Sequence, residues 1–175
     1  MEIPELGLVT DPDDLGWRYS KPMSVGALRG EQCRIVLEGY DDDASKEDFH
    51  EAIKNFLAAD ESALDAAAPH IYRYYEDCKA FWEANNGEPL GIEKPDDIWA
   101  HIRLGGEAMV SRRPYGDKGV YVSLECGCDW EREHGLQIVF KNGLAVNKVG
   151  AFDGHLTNSD AYDDDRLESV IYKSI

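Results

Sequence analysis

Residues 126–155 bring together Cys126, Cys128, Asp129, Trp130, Glu131, Glu133, His134, Asp153 and His155. Three kinds of chemistry are open to such a set. Thiolates and imidazoles can ligate zinc in a near-tetrahedral site. A histidine beside a carboxylate can move protons. A tryptophan ringed by acids can anchor a partner inside a polar rim.

The spacing bears on each option. Zinc sites favour cysteines with two to four residues between them, whereas Cys126-Gly-Cys128 has only one, and Cys126 continues an inward series with Val120, Val122 and Leu124. Cys126 therefore reads as a small core residue, and no metal or cofactor is assigned. His134 and Asp153 could work as an acid–base pair. No nucleophile motif accompanies them: the chain has no G-x-S-x-G, no phosphate-binding loop and no G-x-G-x-x-G. No catalytic residue is assigned either. Asp129, Trp130, Glu131, Glu133, His134, Asp153 and His155 are taken as a binding cluster.

A hairpin must position that cluster. Asn142-Gly143 between two apolar runs predicts a two-residue turn with both residues at positive φ. The expected register sets Lys141 against Leu144, Val139 against Val146 and Leu136 against Val149. Extended outward, it places His134 opposite Ala151 and Asp153 diagonal to His134, about 7–8 Å away between backbones.

The other elements follow from periodicity and punctuation. Short strands are expected at Leu6–Val9, Trp17–Tyr19, Met23–Leu28 and Cys33–Gly39. Ser45, with Asp48 three residues on, resembles a capping box opening a helix to about Ala59. Phe49, Ile53, Phe56 and Leu57 form its apolar stripe. A second helical stretch, Glu61–Asn86, contains Pro69, which predicts a kink or a new helix starting there. Asn85-Asn86-Gly87 supplies its stop signal. A short helix is expected at Pro95–Ala100. Strands then return at His101–Leu104, Glu107–Arg112, Gly119–Cys126, Gly135–Lys141 and Leu144–Val149. This order predicts an α+β fold, an antiparallel sheet with two or three helices packed on one face. Residues 1–175 read as a single domain ending in an acidic tail, 160–175.

Charge narrows the function classes. Thirty-five acids against 18 Lys and Arg leave a formal charge of −17. Such a field repels nucleic-acid phosphates and acidic membranes and speeds encounter with a basic protein. No apolar run approaches the length of a membrane span. The N-terminal residues lack a basic segment followed by an apolar one, and the four cysteines show no disulfide pattern, so a cytoplasmic location is expected.

The run Asp129-Trp130-Glu131-x-Glu133-His134-Gly135-Leu136, followed by the hairpin and Val149-Gly150-x-x-Asp153-Gly154, resembles an uncharacterised bacterial domain-of-unknown-function family with a D-W-E-x-E-H-G-L core. Tyr74-Tyr75 and Pro95-Asp-Asp-Ile-Trp99 add to the likeness, which covers about residues 20–155. The resemblance implies a small cytoplasmic protein, with some members among candidate immunity proteins of toxin systems. It carries no catalytic residue with it. The expected function is an acidic interaction protein, of immunity type, that neutralises a basic toxin. The alternative is a hydrolase-type enzyme, with or without a metal, built on the His/carboxylate cluster of the hairpin.

Overall fold

Strand β8, Val120–Cys128, is the axis of the molecule. In a computed structural model, which describes residues 1–86 and 88–174, it is flanked by β7, Glu107–Arg112, and β9, Leu136–Lys141. Beyond these lie β5, Gln32–Glu38, on one side and β10, Ala145–Gly150, on the other. The two-residue strands β3, Arg18–Tyr19, and β4, Met23–Ser24, pair with β5, and β6, Ile102–Arg103, pairs with β8. A separate ribbon joins β1, Glu2–Ile3, to β2, Gly7–Leu8.

The fold is α+β. Its main sheet is antiparallel except at one joint, where β5 runs parallel to β7. The helices that separate them in sequence, α1 (Lys46–Ala58), α2 (Glu61–Asp65) and α3 (Ala68–Asn86), supply that crossover. A crossover between parallel strands needs a dozen or more residues, and here it is made of helices. Pro69 sits in the first turn of α3, where its missing N–H costs nothing. The stop signal expected just beyond α3 rests on Gly87, which lies outside the described residues.

Alternation along the strands divides the sheet into two faces. Ile35, Ala108, Val122, Leu124, Ile138 and Phe140 point to one face and are fully buried. They meet Phe49, Ile53 and Phe56 of α1 and Ile71, Tyr74 and Tyr75 of α3. The Phe56 and Phe140 rings lie 5.8 Å apart between centroids. Each such ring stabilises the fold by about 2–3 kcal/mol relative to its exposed state.

Two local expectations are corrected. Ser45 is the residue before α1, but its side chain makes no cap; Asp48 instead accepts a hydrogen bond from the Arg112 guanidinium on β7 at 2.9 Å. The hairpin turn is one residue longer than expected. Lys141 pairs with Ala145 rather than Leu144, and a bulge at Asn147 shifts the ladder once more, so that Val139 faces Lys148 and Ile138 faces Val149. The turn is pressed against α1: Asn55 Nδ2 donates to the Asn142 carbonyl at 3.1 Å. Asn142 and Gly143 both have positive φ, as the turn requires.

A Cβ on Gly143 would stand 2.1 Å from the Ala52 carbonyl oxygen. Gly143→Ala is therefore expected to destabilise the protein by more than about 2 kcal/mol in urea unfolding. Gly154, also at positive φ but with open space around it, should cost only about 1 kcal/mol when changed to alanine.

Candidate functional site

The structure separates the residues of the hairpin cluster into three groups. Asp129 belongs with Arg103 and His101: Arg103 Nη1 donates to its carboxylate at 2.6 Å, and His101 Nδ1 lies 3.1 Å away. Arg103 above all, with His101, holds the Asp129 carboxyl below its usual range. Glu131 serves the turn that follows. Its two oxygens accept from the backbone N–H groups of Glu133 and His134, at 3.0 and 2.7 Å. Asp153 accepts from Lys148 Nζ at 2.5 Å and from the His155 backbone N–H at 2.8 Å. No hydrogen bond or ion pair joins His134 to Asp153 among the described residues; the imidazole of His134 neighbours Glu131 instead, at 3.4 Å. The paired ladder ends at Gln137 and Gly150, short of both residues; His134 lies in the turn that Glu131 caps, and Lys148 claims Asp153.

Trp130 is placed in the core, not on a rim. It is 2% exposed. Its ring meets Tyr74 and Tyr75 edge-on, at centroid distances of 6.2 and 5.7 Å. The aromatic residues of α3 are its packing partners, an arrangement favoured by the ring quadrupoles.

Glu131, Glu133 and His134 bring one ligand-type atom each within 4.8 Å of one another. Both Glu131 oxygens already accept backbone hydrogen bonds, and a turn-capping role accounts for that geometry without an ion. All four cysteines are free, and burial raises each thiol: Cys33, Cys78 and Cys126 to about 11, and Cys128 to about 12. Thiols held that far above neutrality are poor nucleophiles.

The second face of the sheet was not singled out by the sequence, and it is the more structured site. A polar chain crosses it: Lys148 Nζ donates to Gln137 Oε1 at 2.7 Å, and Gln137 Nε2 donates to Ser123 Oγ at 2.9 Å. Lys148 is 1% exposed. Burial pushes its pKa down, against the pull of Asp153. The chain after β10 turns back over this face, tied by the bond from Asn147 Nδ2 to the Leu156 carbonyl at 3.1 Å.

Two hollows result. The smaller is a slot of ≈ 240 Å³ with Trp17, Phe152 and Leu156 in its walls and Val36, Met109 and Ser123 beneath. Glu38, Glu107 and Glu125 also line it. The larger is a groove of ≈ 1020 Å³ that shares Glu38, Ser111, Gly154 and Leu156 with the slot and continues past His155 to the C-terminal residues. Its floor is pinned by Arg113, which is 2% exposed. The guanidinium donates to Asp160 at 2.7 Å, to Glu168 at 2.6 Å and to Ser159 at 2.9 Å. The segment that carries Asp160 and Glu168 is thus bound into the domain; Tyr172 reinforces this by donating to Asp77 at 2.7 Å. Arg112, the other cation at the groove, is committed to Asp43 and Asp48. Glu38, Asp163 and Asp165 have no ion-pair or hydrogen-bond partner for their carboxylates among the described residues, and the exposed ring of Tyr115 stands beside them.

Period-two alternation held the clue to this face. Ser111, Ser123 and Gln137 fall on the positions opposite the apolar series, and Arg112-Arg113 must send its two charges to opposite sides. What the strands do not reveal is the cover, supplied by Trp17, Phe152 and Leu156 from loops far apart in sequence.

The comparisons with known proteins agree with an uncharacterised family. The chain belongs to the family described as domain of unknown function DUF6985, which matches residues 6–156. No curated protein and no solved structure matches it. Every residue lining the slot falls inside the matched span, whereas Asp160, Asp163, Asp165 and Glu168 of the groove lie beyond it.

Arg113 holds the carboxyls of Asp160 and Glu168 below their ordinary range. Depressed folded-state pKa values mean that this stabilisation is present above the unfolded carboxylate values, about 4, and is lost as pH falls through the folded ones. Arg113→Met should cost about 3 kcal/mol at pH 7, the low end for a broken buried pair because Glu168 is partly exposed. It should also flatten the acid-side fall in stability, as measured by urea unfolding across pH.

Proposed function

We propose that this chain is an interaction protein that binds a basic partner protein over the outer face of its sheet. The observation that carries the proposal is the unpaired carboxylate set of the groove and slot, in a molecule of net charge −17. Most acids facing other elements are neutralised by arginine or lysine: Asp43 by Arg112, Asp160 by Arg113 and Asp117 by Lys141. Glu38, Asp163 and Asp165 are left for something else. Carboxylates focused in a concave surface deepen the local negative potential and attract a cationic protein faster than scattered ones would.

Neutralisation of a basic toxin by occlusion is the form of this function that the charge best suits. A toxin acting on nucleic acid needs cationic surface for the phosphate backbone, and an acidic cover competes for the same surface. A small acidic protein of this kind, working in the cytoplasm as an immunity protein, needs no catalytic group. The hairpin residues Asp129, Glu131, Glu133 and His134 then hold local structure, and His155 contributes at the groove.

The test is capture on the immobilised chain from an extract of the source organism. The expected result is a stoichiometric basic protein, released as salt shortens the screening length from about 10 Å at 0.1 M to about 3 Å at 1 M. That protein should be harmful when expressed alone and harmless when co-expressed with this chain. Recovery of no stoichiometric partner, or only of acidic ones, would count against the proposal.

A further inference from the structure

The slot on the outer sheet face has a more specific chemistry than the groove beside it. Its floor is set by the register: Val36 of β5 pairs with Met109 of β7, which pairs with Ser123 of β8. Glu38 lies one pleat beyond this row on β5. Glu107 lies one pleat before it on β7, and Glu125 falls at the same level on β8. The carboxylates therefore stand at both ends of this floor, whose apolar part is Val36 and Met109. Trp17 forms one wall; Phe152 and Leu156 form the other.

The space fits one side chain. A volume of ≈ 240 Å³ lies below the roughly 300–1,000 Å³ of sites that hold a cofactor or drug-sized ligand. Aromatic walls with carboxylates at the ends suit a planar, weakly hydrated cation that stacks on rings and donates at its edges, which describes a guanidinium better than an ammonium. The protein already uses this mode at the rim of the same face. Arg34 lies over the Tyr19 ring, 4.5 Å from its centroid, and pairs with Glu107. Trp17 is two residues from Tyr19, and Glu125 is level with Glu107. Neither Glu38 nor Glu125 has an ion-pair or hydrogen-bond partner for its carboxylate among the described residues.

We propose that this slot receives an arginine side chain of the basic partner, its guanidinium stacked against Trp17 and paired with Glu38, while Glu125 draws it in from the other end of the floor. The proposal rests on the reading of the chain as a binder of a basic protein, and it supplies the anchor which that reading lacks. All the slot residues lie within the family span, so the anchor belongs to the shared domain rather than to the C-terminal addition.

The test is an NMR titration of the full chain with N-acetyl-arginine amide, followed at the Trp17 indole N–H. N-acetyl-lysine amide and the uncharged N-acetyl-citrulline amide serve as comparison probes. The expected result is a saturable shift of the Trp17 signal, at least about 5-fold tighter for the arginine probe than for the lysine probe and absent with citrulline. The doubly substituted Glu38→Gln/Glu125→Gln chain, whose changed groups are exposed, should fold normally and bind at least about 10-fold more weakly. An unmoved Trp17 signal, an equal response to citrulline, or undiminished binding by the double variant would overturn the proposal. The partner-capture experiment separates the two ideas. A basic partner held equally by the wild type and the double variant sinks the slot alone, whereas no partner at all sinks the binding function.

Discussion

Side chains on a strand must alternate between the faces of its sheet, and the rest of the structure depends on how β7, β8 and β9 use that constraint. One series, running through Ala108, Val122 and Ile138, is apolar and collects the helices. The intervening series, through Ser111, Ser123 and Gln137, is polar yet also buried. Burying polar groups costs free energy unless they find partners. The chain from Ser123 through Gln137 to Lys148 and Asp153 supplies those partners and thereby fixes where the loop after β10 lies. That loop walls the slot and opens the groove. The outer face is concave because its polar residues had to be satisfied.

Arg113 plays the same part at the other end. A guanidinium taken almost wholly out of water needs opposing charge, and it draws in Asp160 and Glu168 with the segment that carries them. The C-terminal acids are thereby divided. Asp160 and Glu168 do structural work, while Asp163 and Asp165 are presented to solvent along the groove. A surface that is merely soluble would have no need to focus unpaired carboxylates in a hollow beside the exposed ring of Tyr115.

Much of the fold was legible because local signals agreed with one another. Pro69 marks the start of α3, the apolar stripe of α1 faces the sheet, and the strands between Glu107 and Val149 fall close to where alternation puts them. Errors arose where a distant group intervened. Asp48 leaves Ser45 for Arg112, 64 residues on. The turn at Asn142 takes Leu144 into its loop while Gly143 and Asn55 hold it against α1, and Asn147 adds a bulge, so the ladder slips twice. His134 lies beyond the last rung, Gln137 opposite Gly150, in the turn that Glu131 caps, and so meets Glu131 instead of Asp153. Trp130 was legible as an aromatic anchor, but its partners, Tyr74 and Tyr75, lie more than fifty residues earlier on the inner side of α3. The slot was hidden for a related reason: its walls come from loops that only the folded chain brings together.

Binding, as proposed, is seated on the outer sheet face and on no other surface. Zero-length carbodiimide cross-linking of the purified complex, read by mass spectrometry, asks that question most directly, because it joins carboxylates only to lysines in contact. The account predicts bonds from Glu38, Asp163 and Asp165 to lysines of the basic protein. Bonds confined to carboxylates of the helical side, such as Glu47 and Glu76, would contradict it.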